Sequence, residues 1–350
     1  MNSSFNDTKS SMYPGETMRI LQMIITVLIF VVGVLLNGLV VWALGIRARI
    51  RRGTGETQGA SSFRTYVVNL AVADLVLLLR TPMMLPYLAH HFNWTLGEPV
   101  CKLIIYLRCL GLYASAFLLC AVAVERCLCL LRPVWARLRR PRWVVRLACA
   151  VIWLLAAALA APYITAAKLV VVQNHTNCIE TDKDFGQALI VVETMAGFLL
   201  PLVIFLSCNM AVLFCAKKTE IAVPTSPVSS PISSSGPTYT SQRLTRLYRV
   251  LLLTMILFLT CWVPYFTCRF LRAISPDGST LRSGAIGGAY VALFFVYIKS
   301  ALNPILYVFA ARGLGRTVRA SLLSTFERVF NDEFSESIRR KSSQRKDSQF

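Results

Sequence analysis

Nine polar or charged residues stand inside long apolar runs: Asn37, Asp74, Arg80, Arg108, Ser115, Glu193, Arg269, Lys299 and Asn303. A charge at mid-membrane costs at least about 2.5–3.5 kcal/mol on insertion scales, so such a residue faces a cavity or a partner. Asp74 is a lone carboxylate, suited to a cation site or a proton-linked switch. Lys299 lies about one turn before Asn303, and its ammonium can replace a bound cation beside Asp74. Arg80 and Arg108 are each embedded in an apolar run, and a guanidinium fork suits a carboxylate bidentately. Tyr113, Tyr265, Tyr290 and Phe266 can supply apolar walls with hydroxyl handles. Arg80, Arg108, Tyr113, Glu193, Tyr265 and Arg269 therefore form a candidate site for an amphipathic anion. Its carboxylate would meet Arg108 or Arg80, and Glu193 would receive a hydroxyl or pair an Arg. The alternative, that Glu193 and Arg108 neutralise each other and touch no ligand, stays open at this point. No nucleophile–base pair or metal cluster can be assembled, because the three His lie outside the apolar runs. No catalytic residue, metal or cofactor is expected.

The runs that position these residues dominate the chain. Of 350 residues 55% are apolar and 15% charged, against about 25% charged in a soluble domain. That excludes disorder and a disulfide-stapled miniprotein, and it disfavours a soluble enzyme. Seven apolar stretches lie at about 20–45, 63–88, 102–131, 143–167, 186–216, 246–272 and 287–310. Each is long enough to cross a hydrocarbon core of about 30 Å as a helix. The fold expected is an all-α seven-transmembrane helix bundle occupying 19–310. Arg and Lys crowd the loops after spans one and three and flank the loop between spans five and six, which places the amino terminus outside and the carboxyl terminus inside. Topology and attraction to anionic lipid then account for most of the net charge of +20.

The remaining segments fit that orientation. Residues 1–18 read as an extracellular tail without a cleavable signal. The sequons at Asn2, Asn6, Asn93 and Asn174 all fall outside and are candidate glycosylation sites. Of 11 Cys, Cys101 and Cys178 lie at the outer ends or loops and form a disulfide candidate. Residues 219–241, rich in Pro and Ser, read as a mobile cytoplasmic linker. Residues 311–330 read as an amphipathic helix on the inner leaflet, and 331–350 as a disordered, phosphorylatable tail.

Asn37, the run Asn69-Leu70-Ala71-Val72-Ala73-Asp74, Trp153, Pro201, Cys261-Trp262-Val263-Pro264 and Asn303-Pro304-Ile305-Leu306-Tyr307 appear in order, one or more per span. Together they resemble the marks of rhodopsin-like G-protein-coupled receptors. Glu125-Arg126-Cys127 is similar to that family's acidic-Arg-aromatic triplet. The resemblance implies a switch built from Asp74, Glu125, Arg126, Trp262, Asn303 and Tyr307, with Glu125 latching Arg126 until a G protein is engaged; Lys299 joins it through its expected salt bridge to Asp74. Pro201, Pro264 and Pro304 supply the kinks that a moving helix needs. Two positions depart from the pattern: Cys127 stands for Tyr, and Asn209 stands where span five usually carries Tyr.

The stretch from Glu193 to Pro201 is most similar to leukotriene B4 receptors. The segment Arg132-Pro133-Val134-Trp135-Ala136 is closer to the second prostaglandin D receptor and the formyl-peptide receptors. The implied function is a plasma-membrane receptor for an acidic lipid chemoattractant, coupled to an inhibitory-type G protein, with arrestin and a receptor kinase reading the Ser-rich tail. A peptide chemoattractant receptor of the formyl-peptide, chemerin or anaphylatoxin kind is the rival. A transporter or channel is the alternative from another class, and it predicts internal repeats or broken helices.

Overall fold

The structure, a computed structural model, describes residues 16–46, 58–131, 141–172, 174–180, 186–221, 237–276 and 278–310. Asn2, Asn6, the segments 311–330 and 331–350, and most of the basic loops lie outside the described residues, as do the side chain of Tyr307 and positions 222–236 of the linker segment.

Among the described residues, seven helices are long and apolar enough to cross a membrane. They are span one (Glu16–Ile46), two (Ser61–Ala89), three (Gly97–Cys129), four (Trp143–Ala166), five (Ala188–Cys215), six (Leu252–Ile274) and seven (Thr280–Leu306). The core is apolar, but unlike a water-soluble bundle the outer surface is apolar as well, and some polar residues are turned inward. Leu154 is 71% exposed and Leu35 66%, whereas Asp74 and Asn37 are fully buried. Leu gains from a hydrocarbon surround, while polar groups need one another.

Helical backbone reaches Ile221 and resumes at Pro237, so both ends of the segment read as a linker carry helix. Span three is the most buried of the seven and forms the axis of the bundle. Close approach there depends on Gly111. A Cβ at that position would sit 2.7 Å from the Cβ of Leu77 and 2.9 Å from its backbone Cα. Small residues at such crossings let backbones meet where no hydrophobic drive separates lipid from protein. In span five, a π-helical turn at Met195–Leu199 precedes Pro201, and absorbs the backbone register that the missing N–H upsets.

The all-α expectation needs one addition. Between spans four and five runs an antiparallel hairpin, β1 (Ala167–Val172) and β2 (His175–Glu180), with Leu169 opposite Cys178. Asn174 takes φ 67° in its turn, a left-handed conformation that Asn tolerates. A disulfide joins Cys178 to Cys101 at the start of span three, with a Cα–Cα distance of 5.6 Å. Trp94 N–H donates to the Thr176 carbonyl (2.7 Å) and Tyr87 O–H to the Asn177 side chain (2.9 Å). The hairpin is thus laid across one end of the bundle.

Candidate functional site

Beneath the hairpin lies a buried cluster of four charges. Arg108 stands two helical turns from Cys101 on span three, on the same face. Glu180 follows Cys178 by two residues, so both point to one side of β2. The disulfide therefore brings Glu180 to Arg108. One carboxylate oxygen of Glu180 contacts Arg108 closely, and the other accepts from Arg269 Nη1 at 2.8 Å. Glu193 of span five closes the ring: it contacts Arg269 Nη2 directly and lies 3.8 Å from Arg108 Nη1. Its carboxylate also accepts from the Tyr163 hydroxyl (2.7 Å) and the Tyr265 hydroxyl (3.2 Å). Arg108 in turn donates to the Tyr265 oxygen.

Two guanidinium groups and two carboxylates balance in this enclosure. The Arg108, Arg269 and Glu193 side chains are about 5% exposed and that of Glu180 14%. Isolated buried charges would be prohibitive, and mutual pairing with further hydrogen bonds is what makes them tolerable. Burial pushes the Glu180 carboxyl up, but Arg108, Arg269 and Arg272 outweigh it and hold the group at about 2. Its stabilising contribution is therefore complete above the ordinary carboxylate range and is lost as pH falls towards 2.

Arg80 meets different company. Its Nη1 donates to the Tyr297 hydroxyl at 2.7 Å and its Nη2 lies 3.8 Å from the Met84 sulfur. No carboxylate is among its described contacts, and its Nε has no hydrogen-bond partner among the described residues. It lines a cleft between spans one, two and seven, walled by Ile29, Met84, Leu88, Leu293 and Phe294 with Tyr290 beside them. The predicted ligand set therefore separates into two subsites, Arg80 in one and Arg108, Glu193, Tyr265 and Arg269 in the other. Tyr113 is buried on span three beside Gly197 of span five, its ring stacked on Phe117.

Deeper in the bundle, Asp74 accepts from Ser115 Oγ (3.0 Å) and Asn303 Nδ2 (2.7 Å), which unites spans two, three and seven. Asn37 adds span one by donating to the Ser300 carbonyl at 3.1 Å. The expected Asp74–Lys299 salt bridge is not formed as a direct contact. Ser115 and Asn303 take one Asp74 oxygen each, and the Lys299 ammonium has no hydrogen-bond partner among the described residues. It sits instead 5.4 Å from the Trp262 ring centre, a cation–π placement. Trp262 belongs to an aromatic column, Phe258–Trp262–Phe266, with successive centroids 5.4 and 5.7 Å apart. Towards the end away from the hairpin, Glu125 is buried and receives a contact from the Cys129 thiol at 3.6 Å. The Arg126 guanidinium lies 5.3 Å over the Phe63 ring. Asn209, which departs from the expected Tyr, is buried and donates to the Phe205 carbonyl of its own helix at 2.7 Å.

Sequence reasoning missed Glu180, Tyr163, Tyr297 and Arg19. Glu180 carried a signal in its two-residue offset from Cys178, and Tyr297 in its seven-residue offset from Tyr290, which shares a helix face. Arg19 donates to the carbonyls of Leu88 (3.2 Å) and Ala89 (3.1 Å), fastening span one to the end of span two. For Tyr163 the sequence carried no signal.

Comparison with known proteins agrees with the seven-span fold. The family described as 7 transmembrane receptor (rhodopsin family) matches residues 36–307. The C3a anaphylatoxin chemotactic receptor of Danio rerio is 27% identical over 94% of this chain and 82% of its own length. The prostaglandin D2 receptor 2 of Rattus norvegicus is 28% identical over 86% of this chain and 71% of its own. The C5a anaphylatoxin chemotactic receptor 1 of the same species is 27% identical over 92% and 84%.

Proposed function

The chain belongs to the rhodopsin family of seven-transmembrane receptors, a family of multi-pass receptors and not of enzymes, and from that membership we propose that it senses an acidic lipid chemoattractant. The hairpin end faces outside the cell, and an inhibitory-type G protein reads the other end. The observation that carries the ligand reading is Arg80. It is a guanidinium without a carboxylate among its described contacts, set in a cleft whose other walls are apolar or phenolic apart from Thr26 and Thr81, whose hydroxyls donate to carbonyls of their own spans. An anion with a hydrocarbon tail completes both: its carboxylate takes the Arg80 fork beside Tyr297, and its tail lies along Leu88, Leu293 and Phe294. A neutral lipid would leave the charge unanswered.

The disulfide supports the orientation, since Cys101–Cys178 needs an oxidising compartment. Asn93 and Asn174, both at the hairpin end, are the sequons the structure describes. Asn174 is exposed, while the Asn93 side-chain oxygen accepts from Thr176 N–H. Ligand contact shifts the bundle between two arrangements, with Trp262 and the Pro264 kink carrying the motion towards Arg126. The Ser-rich tail is the surface for a receptor kinase and arrestin.

A peptide chemoattractant is the second reading, favoured by the relatives named for C3a and C5a. Calcium and cyclic-nucleotide responses of transfected cells to a panel of eicosanoids and chemotactic peptides separate the two. Responses to free-acid lipids are expected; responses confined to peptides would replace the lipid reading.

A further inference from the structure

Of the four clustered charges, three sit on spans three, five and six, and the fourth, Glu180, arrives on the hairpin. Its two oxygens are divided between the two guanidinium groups, one to Arg108 and one to Arg269. A free carboxylate between two forks would adopt the same bridging arrangement. The hairpin does not need Glu180 to stay in place. The Cys101–Cys178 disulfide and the contacts of Thr176 and Asn177 hold it independently. Without Glu180, two guanidinium groups would face the single carboxylate of Glu193, and the enclosure would carry a net positive charge of the right size for one carboxylate.

The position of this bridge along span six gives it a mechanical consequence. Arg269 lies on the hairpin side of Pro264, and Trp262 on the other side. Tyr265, beside the kink, also hydrogen-bonds Glu193 and stands edge-on to Phe266, 5.2 Å between centroids. An anion that bridges Arg108 and Arg269 therefore ties one half of span six to span three, directly above the residue where the helix can bend.

We propose that Arg108 and Arg269 form a carboxylate-binding cradle which the chain fills with its own Glu180, and that this built-in acid latches span six in the resting state. A carboxylate in solution enters the cradle only as Glu180 leaves. Tethering gives Glu180 an effective concentration on the order of millimolar, so dilute free acids do not displace it. Arg272 donates through Nη2 to the Glu180 carbonyl at 3.2 Å and so holds the backbone of the same residue. The latch acts with no ligand bound, so it stands apart from the lipid reading of the Arg80 cleft.

The test uses the full chain in lipid nanodiscs with a G protein that it activates, and no lipid ligand. Basal nucleotide exchange and thermal unfolding temperature are measured for the wild type, Glu180→Ala, and the double variant Glu180→Ala with Arg269→Gln. Each is read in sodium acetate and in sodium chloride at equal ionic strength. Glu180→Ala is expected to raise basal exchange several-fold and to lower the unfolding temperature. Acetate is expected to reverse both in Glu180→Ala, and to do nothing for the wild type or the double variant. Unchanged or reduced basal exchange in Glu180→Ala would overturn the latch, and an equal response to acetate and chloride would overturn the cradle. If Glu180→Ala proves too unstable to couple, its acetate-dependent unfolding temperature, against that of the double variant, decides the matter alone.

Discussion

Arg80 and Arg108 carry the same charge into the same end of the bundle and meet opposite company. Arg108 is held by Glu180 and lies near Glu193, while Arg80 finds a phenol and a thioether. Their substitutions are therefore predicted to diverge. Arg80→Ala should weaken an acidic lipid agonist by about 2 kcal/mol, roughly 30-fold, at the lower end for a buried charge pair because Arg80 is partly exposed. Arg80→Lys, which keeps the charge and loses the fork, should fall between. Agonist dose–response curves at matched surface expression would show this ordering. Arg108→Ala should instead act on stability, costing up to about 3–5 kcal/mol because it leaves two carboxylates to share the Arg269 side chain, with Arg272 bonded to the Glu180 backbone. Thermal unfolding of the detergent-solubilised receptor measures that loss; an unfolding temperature like that of the wild type would contradict the cluster. Lys299 poses a subtler case. It contacts no Asp74 oxygen directly, yet the two opposite charges share one buried chamber. Lys299→Ala should impair folding or signalling, and adding Asp74→Asn should restore it in a surface-expression assay. Indifference of both variants would remove the coupling.

At the scale of elements, the helices were legible because lipid demands uninterrupted apolar length, a property written locally in the sequence. The expected and observed spans differ by up to seven residues at their ends, in part because helices run on into polar flanks such as Gly97–Lys102 and Thr280–Ile286. The hairpin was not legible. Its strands are short, one pairs polar residues such as Asn177 and Thr176, and their stability comes from contacts with spans two and three that no local pattern records. For the same reason the candidate site was only half visible: its arginines and Glu193 stood out as charges in apolar runs, whereas Glu180 sat among loop residues where a carboxylate is unremarked. The Arg80–Arg108 grouping also misled, because sequence gives depth along a span but not which neighbour a side chain faces. Packing between spans gives a sharper element-scale prediction. Gly111→Ala places a methyl against the Leu77 backbone, where nothing flexible can yield. It should destabilise by about 1–3 kcal/mol, the ordinary cost of overpacking, and reduce mature surface receptor; normal expression and unfolding would show that spans two and three can separate.

At the scale of the whole molecule, the bundle joins two ends that differ in chemistry. The hairpin end holds the disulfide, the charge cluster and the Arg80 cleft, and the aromatic column through Trp262 leads from it towards Asp74 and Arg126. The net charge of +20 belongs mainly to the loops and tail of the opposite end, where it suits anionic lipid and a G protein. On the proposed function, the Arg80 guanidinium in its largely apolar cleft reads the acid of an amphipathic ligand. The most direct measurement compares prostaglandin D2 and leukotriene B4 with their methyl esters, as dose–response curves for suppression of cyclic AMP in cells expressing the full chain. At least one free acid should act at far lower concentration than its ester, and Arg80→Ala should erase that gap. Acid and ester of equal potency, or responses to chemotactic peptides alone, would contradict it.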